Sequence, residues 1–186
     1  MSAPRSIVCC LAIIACLVST SYIQTASAAA VGKVTKVQKQ AKVGSRTATA
    51  GTSVNMNDRL RTGPGARLQV RFIDGTELTL GENANVVINR YVYDPAKSTG
   101  KMALTSTQGA FRFATGKLNQ MKNKDVTVKT PQGALAVRGT EFWSGPIDGH
   151  YGTYLMKGKV DVRNRNRAVT LSPGQGVDYR RRSRRR

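Results

Sequence analysis

Beyond residue 16 the sequence has no cysteine: Cys9, Cys10 and Cys16 are the only ones in its 186 residues. The rest of the chain can form no disulfide, thiolate metal site or cysteine nucleophile, so packing and backbone hydrogen bonding must hold it together. Histidine is almost as scarce. His150, in Gly149-His150-Tyr151-Gly152, stands alone, which excludes a histidine-based metal cluster; it reads as an exposed residue in a loop between strands. The 10 acidic residues are scattered, mostly at turn positions, with no paired spacing suited to acid–base work. Ser144, in Trp143-Ser144-Gly145, lacks the flanks of a nucleophile elbow. Gly63-Pro64-Gly65 lacks the lysine and the following helix of a phosphate loop. The chain therefore reads as a non-enzyme, and no cofactor or metal is expected.

Long apolar runs are also few. The longest, Ile7 to Val18, is well short of the roughly 20 residues that a spanning helix needs. Arg5 precedes it, and small residues follow, ending in Ala26-Ser27-Ala28-Ala29-Ala30. Positive charge, apolar core and small-x-small make the pattern of a cleavable secretory signal. Residues 1–29 are read as a signal peptide helix, with the mature N-terminus at Ala29 or within two residues of it. An uncleaved anchor is one alternative. Lipid attachment at Cys16, in Ile13-Ile14-Ala15-Cys16, is another, disfavoured by the short apolar core before it. The expected location is periplasmic or secreted.

What the sequence has in excess is positive charge: 30 lysines and arginines against 10 acidic residues, a formal net charge of +20. Such a field draws anionic partners and speeds their encounter. In an exported protein these are lipid head groups, lipopolysaccharide phosphates and wall polymers, and nucleic acid is unlikely. The excess peaks at the C-terminus, where Arg180, Arg181, Arg182, Arg184, Arg185 and Arg186 surround Ser183. A run of this kind repels itself and is expected to be disordered. It reads as an electrostatic anchor or, more plainly, a solubility tail. Guanidinium groups suit phosphate and carboxylate because each can make two hydrogen bonds at once. Arg163, Arg165 and Arg167 form a second cluster.

Between these ends lie short alternating runs and almost no helical pattern. Arg67-Leu68-Gln69-Val70-Arg71-Phe72 and Thr76-Glu77-Leu78-Thr79-Leu80 alternate polar and apolar around Asp74-Gly75, which predicts a hairpin with a type I′ turn. Val86-Val87-Ile88, Tyr91-Val92-Tyr93, Ala110-Phe111-Arg112-Phe113, Val126-Thr127-Val128 and Tyr154-Leu155-Met156 read as further strands. Lys33, Lys36, Lys39 and Lys42 recur every three residues beside Val31, Val34 and Val37. A helical stripe needs mixed three- and four-residue spacing, so a strand with a bulge is favoured over a helix. Gly-Ala openings at Gly65, Gly109 and Gly133, each followed by an alternating tail, echo one another, with a looser copy from Lys157. The expected fold is all-β: a coiled, solenoid-like domain of short strands over residues 30–179, with a β-sandwich as the alternative.

Two segments carry a resemblance. Leu60 to Leu80 contains Gly63-Pro64-Gly65-Ala66-Arg67-Leu68 and Asp74-Gly75-Thr76-Glu77-Leu78-Thr79-Leu80; Val126 to Phe142 contains Thr130-Pro131 and Val137-Arg138-Gly139-Thr140-Glu141-Phe142. Together, over about residues 32 to 162, they resemble the FecR-like domain family in order and spacing. Asn57 stands where that family usually has glycine before Asp58, and asparagine tolerates positive φ next best. The matching residues, Asp58, Thr62, Asp74, Gly75, Thr130, Pro131, Arg138, Gly139, Thr140 and Phe142, read as structural. Asp58 and Thr62 are expected to bond nearby backbone in turns. Gly139 permits a bend or close approach. Arg138 is expected to be partly buried beside Asp74, Glu141 or Asp58, with ligand binding as its other reading. The best-known members relay an iron-uptake signal to a sigma factor from a cytoplasmic arm and a membrane helix. With about five residues before its apolar run, this chain reads as a stand-alone exported member, and the resemblance does not imply relay.

The reading is a non-enzymatic exported binding or sensing module of the cell envelope. Its expected partners are an envelope protein or glycan, with an anionic lipid or lipopolysaccharide surface as a further possibility. The alternative is a structural component of an exported assembly.

Overall fold

A computed structural model of the protein describes residues 29–164 and 167–179. The expected signal segment up to residue 28, with Cys16, and Arg165 and the run from Arg180 to Arg186 lie outside the described residues. Strands β1 (Ala30–Gln38), β2 (Ala41–Val43), β3 (Arg46–Thr47), β4 (Ser53–Asn55) and β5 (Arg59–Thr62) come first. They are followed by β6 (Arg67–Phe72), β7 (Glu77–Leu80), β8 (Asn85–Asp94), β9 (Thr99–Gln108) and β10 (Phe111–Ala114). After one 3-10 turn, Lys117–Gln120, come β11 (Asn123–Thr130), β12 (Gly133–Ile147), β13 (His150–Asn164), β14 (Arg167–Leu171) and β15 (Gly176–Asp178). No helix among the described residues is long and apolar enough to cross a membrane.

All 15 strands of the described residues join one sheet, in the order β3-β2-β5-β8-β9-β11-β12-β10-β7-β6-β1-β4, with β13 pairing β12, β14 and β15. The sheet curls into a half-barrel. The coiled all-β reading stands, and the sandwich alternative gives way to a single hydrogen-bonded sheet. Pairing is antiparallel throughout, except between β9 and β11. The alternating pattern puts one side of each strand into the curl. Leu68, Val70 and Phe72 of β6 face the buried side, as do Leu78 and Leu80 of β7. Phe111 and Phe113 of β10 meet Phe142 of β12, with ring centroids 5.8 and 5.6 Å apart. Burying an aromatic of this size contributes about 2–3 kcal/mol.

Irregularities in the strands explain irregularities in the sequence. Of the four spaced lysines, Lys33 and Lys36 lie in β1, whose register against β6 shifts between Val34 and Lys36, so a bulge sets that step; Lys39 follows the strand at φ 59°, and Lys42 lies in β2. Val86-Val87-Ile88 and Tyr91-Val92-Tyr93 belong to the one strand β8, whose register shifts between Ile88 and Arg90. Asn89 and Arg90 are both exposed, and Tyr91 returns to the buried side.

The Asp74-Gly75 hairpin forms, but with a different turn. Gly75 has φ +84°, while Asp74 is not among the residues at positive φ. Phe72 O accepts from Gly75 N at 2.9 Å, and Phe72 N donates to Thr76 O at 2.9 Å. This is a three-residue loop closed by a left-handed glycine. The type I′ geometry occurs instead at Asp148-Gly149, where both residues have positive φ (46° and 77°), between Ile147 and His150. His150 is therefore the first residue of β13 rather than a loop residue, and it is exposed. A Cβ on Gly75 would meet nothing within 4 Å, so Gly75→Val adds backbone strain alone. A loss of about 1 kcal/mol in urea unfolding is expected; an unchanged midpoint would contradict the turn geometry.

Candidate functional site

The two motif segments meet across a short strap, residues 114–121. On the hairpin side, Asp74 is 1% exposed. Its Oδ1 accepts from Tyr91 Oη at 2.8 Å and Thr76 N at 3.2 Å. Its Oδ2 accepts from Thr76 Oγ1 at 2.6 Å and, across the strap, from Leu118 N at 3.1 Å. Gly116 N donates to Thr76 Oγ1 at 2.9 Å, and Lys117 N to Asp74 O at 2.8 Å. Burial, then the facing Asp74 carboxylate, push the Tyr91 phenol well above its ordinary value. On the other side, Thr115 N donates to Thr140 O at 2.9 Å, and Thr140 N donates to Thr115 Oγ1 at 3.2 Å.

Gly139 lies in the left-handed region (φ 62°), inside a register shift between Arg138 and Glu141. A Cβ there would come within 2.5 Å of Asn119 Nδ2 on the strap, and a Cβ on Gly158 of β13 would come within 2.1 Å of Gly139 O. Asp74-Gly75-Thr76 and Gly139-Thr140 are thus the two clamps of one strap.

The other motif residues sit elsewhere. Asp58 Oδ2 accepts from Asn55 N at 2.8 Å and from Arg46 at 3.2 Å, next to Asn57 at φ 68°. Thr62 does not act within a local turn. Its Oγ1 donates to Gly81 O at 2.6 Å and accepts from Ala84 N at 2.8 Å, tying β5 to the β7–β8 loop. Thr130 Oγ1 donates to Gly133 O at 3.1 Å around the exposed Pro131. Phe142 is in the core. Arg138 contradicts its expectation: its side chain is 70% exposed and faces Asp161 at 3.7 Å, not Asp74, Glu141 or Asp58. Alternation along β12 turns Val137 inward and Arg138 to solvent, and Glu141 pairs with Arg112 of β10. Tyr91 was legible only as a strand residue, and Thr115 and Gly116 carried no sequence signal, because their partners here lie far away along the chain.

No group of residues suited to hold a metal ion occurs among the described residues. Their surface instead carries charge: 22 lysines and arginines against 10 aspartates and glutamates, an excess of 12 positive charges. Arg46, Arg71, Lys97 and Arg112 take Asp58, Glu77, Asp94 and Glu141 as partners. Ten carboxylates, one of them buried, cannot neutralise the remainder, and exposed pairs of this kind contribute little to stability in any case.

These features define a curled all-β domain, pinned by two glycine-containing motifs and clothed in positive charge. The FecR protein family matches residues 58–161, more than half of the chain, and the chain belongs to that family. Two crystal structures of a candidate anti-sigma factor from Parabacteroides distasonis ATCC 8503, at 1.65 and 2.50 Å resolution, are similar to it. Each is 22% identical, with a TM-score of 0.46, over 65% of this chain and 58% of that one. The chain thus spans little more than half the length of that protein. No curated protein sequence matches it.

Proposed function

We propose that the protein is a non-enzymatic binding module of the cell envelope, exported by its N-terminal signal and held to anionic envelope partners by charge. The observation that carries this reading is the excess of 12 positive charges over the described residues, to which the arginines from Arg180 to Arg186 add. Membership of the FecR family supports the envelope setting, and the structural use of Asp74, Gly139 and Thr140 supports a domain that binds rather than reacts. The outer strands of the sheet favour a binder over a stacking scaffold: β3 has two residues, β4 and β15 three each, and β14 five, and short edge strands resist edge-to-edge assembly.

The arginine tail acts as an anchor in this reading. Each basic residue near an anionic surface contributes about 1 kcal/mol at modest salt. Deleting Arg180 to Arg186 is expected to leave the melting temperature unchanged. It should weaken binding to anionic lipid or lipopolysaccharide vesicles severalfold at low salt, with the difference shrinking as salt rises. Equal binding by the truncated and full-length proteins at every salt concentration would remove the anchor role.

A further inference from the structure

One line across the solvent face of the sheet collects cations without a carboxylate. Backbone pairing places Arg59 of β5 opposite Val87 of β8, Val87 opposite Thr105 of β9, and Thr105 opposite Lys129 of β11. The line continues from Lys129 to Ala134 of β12 and from Ala134 to Arg163 of β13. Side chains at paired positions share a face. Their chain neighbours Leu60, Val86, Leu104, Val128, Leu135 and Val162 are all buried, so this row faces solvent. Arg59, Lys129 and Arg163 are exposed, and none forms an ion pair among the described residues. The side chains between them are short. With strands about 4.8 Å apart, Lys129 stands about 14 Å from Arg59 and about 10 Å from Arg163, a cationic track about 24 Å long. The nearest carboxylate on this face, Asp161, lies two positions along β13 from Arg163. It is engaged by Arg138 at 3.7 Å and by Thr170 Oγ1 at 2.6 Å.

We propose that this track binds an acidic polysaccharide lying across the strands. The inference deepens the anionic-partner reading above and rests on it. Three features favour this occupant. The charges lie along one line, which matches a chain bearing anionic groups along its length. The sheet is curled, so its outer face is convex and touches a flat membrane only along a narrow strip, whereas a flexible polymer follows the curve. The track also lacks an aromatic side chain, so it offers no stacking platform of the kind that single-stranded nucleic acid binds.

The test uses alginate, a polyuronate, with two triple variants of equal charge change. Arg59→Glu/Lys129→Glu/Arg163→Glu reverses the track. Lys36→Glu/Arg90→Glu/Lys122→Glu reverses three exposed cations outside it. Both are surface changes, and unchanged melting temperatures confirm that both fold. The track variant is expected to lose about tenfold or more in affinity at low salt, and the control less than about threefold. Equal losses would mean that only net charge matters, and would overturn the track. Tighter binding of single-stranded DNA than of alginate, lost with the track, would overturn the polysaccharide as its occupant. If the unaltered protein binds neither alginate nor anionic vesicles, the anionic-partner reading itself fails; if it binds alginate and the two variants behave alike, only the track fails.

Discussion

Replacing Gly158 with alanine is expected to destabilise the protein by about 2–5 kcal/mol. Two costs combine. Gly158 has φ +87°, where a side chain is strained by about 1–2 kcal/mol. The added Cβ would also lie 2.1 Å from Gly139 O, 2.8 Å from Gly139 C and 2.9 Å from Thr140 Cα. These are backbone atoms of the bulge that the strap leans on, so no rotamer change relieves the collision, and overpacking of this kind costs a further 1–3 kcal/mol or so. Gly149→Ala separates the two terms. Gly149 has φ +77°, with nothing within 4 Å of its Cβ position, so that variant should lose only about 1 kcal/mol. Urea unfolding of the pair measures the difference. Equal losses would show that β12 and β13 do not approach closely at the bulge.

Asp74→Ala should cost about 4 kcal/mol. Four hydrogen bonds end on the Asp74 carboxyl, from Tyr91 Oη, Thr76 N, Thr76 Oγ1 and Leu118 N. Truncation strands these donors in a buried place, and each unsatisfied group costs about 1–3 kcal/mol before relaxation. Asp74→Asn keeps the shape and one acceptor oxygen, but turns an amide donor toward other donors; about 2 kcal/mol is expected. If Asp74→Ala and wild type share a urea midpoint, the strap is not held by this residue.

How far the sequence could be read follows from the range of each interaction. The bulge in β1 was legible because both its marks, the valine pattern and the step from Lys33 to Lys36, lie within one nine-residue strand. The strands were legible for the same reason. The turn at Asp74-Gly75 was only half legible. Asp-Gly between alternating runs marks a hairpin, but two such pairs exist, and the type I′ turn is at Asp148-Gly149. The Asp74 carboxyl takes one of its donors, Leu118 N, from 44 residues away, a contact that no local pattern shows. Thr62 was misread similarly, since its partners lie 19 and 22 residues away. At Arg138 the local evidence was the better guide: alternation along β12 turns it outward, against the partial burial expected from its apolar surroundings. The cationic track lies beyond sequence reasoning altogether, because Arg59, Lys129 and Arg163 come from strands far apart in the chain that only the sheet order makes neighbours.

The central claim is that charge on the outside of this domain, not a reactive centre within it, carries the function. The most direct measurement is a salt titration of binding to alginate, with neutral dextran as the control polymer. Affinity for alginate is predicted to fall about tenfold or more between roughly 50 and 200 mM salt, as released counterions and screening dictate, with no binding to dextran at either salt. Binding to alginate that does not change with salt, or equal binding to dextran, would contradict the account.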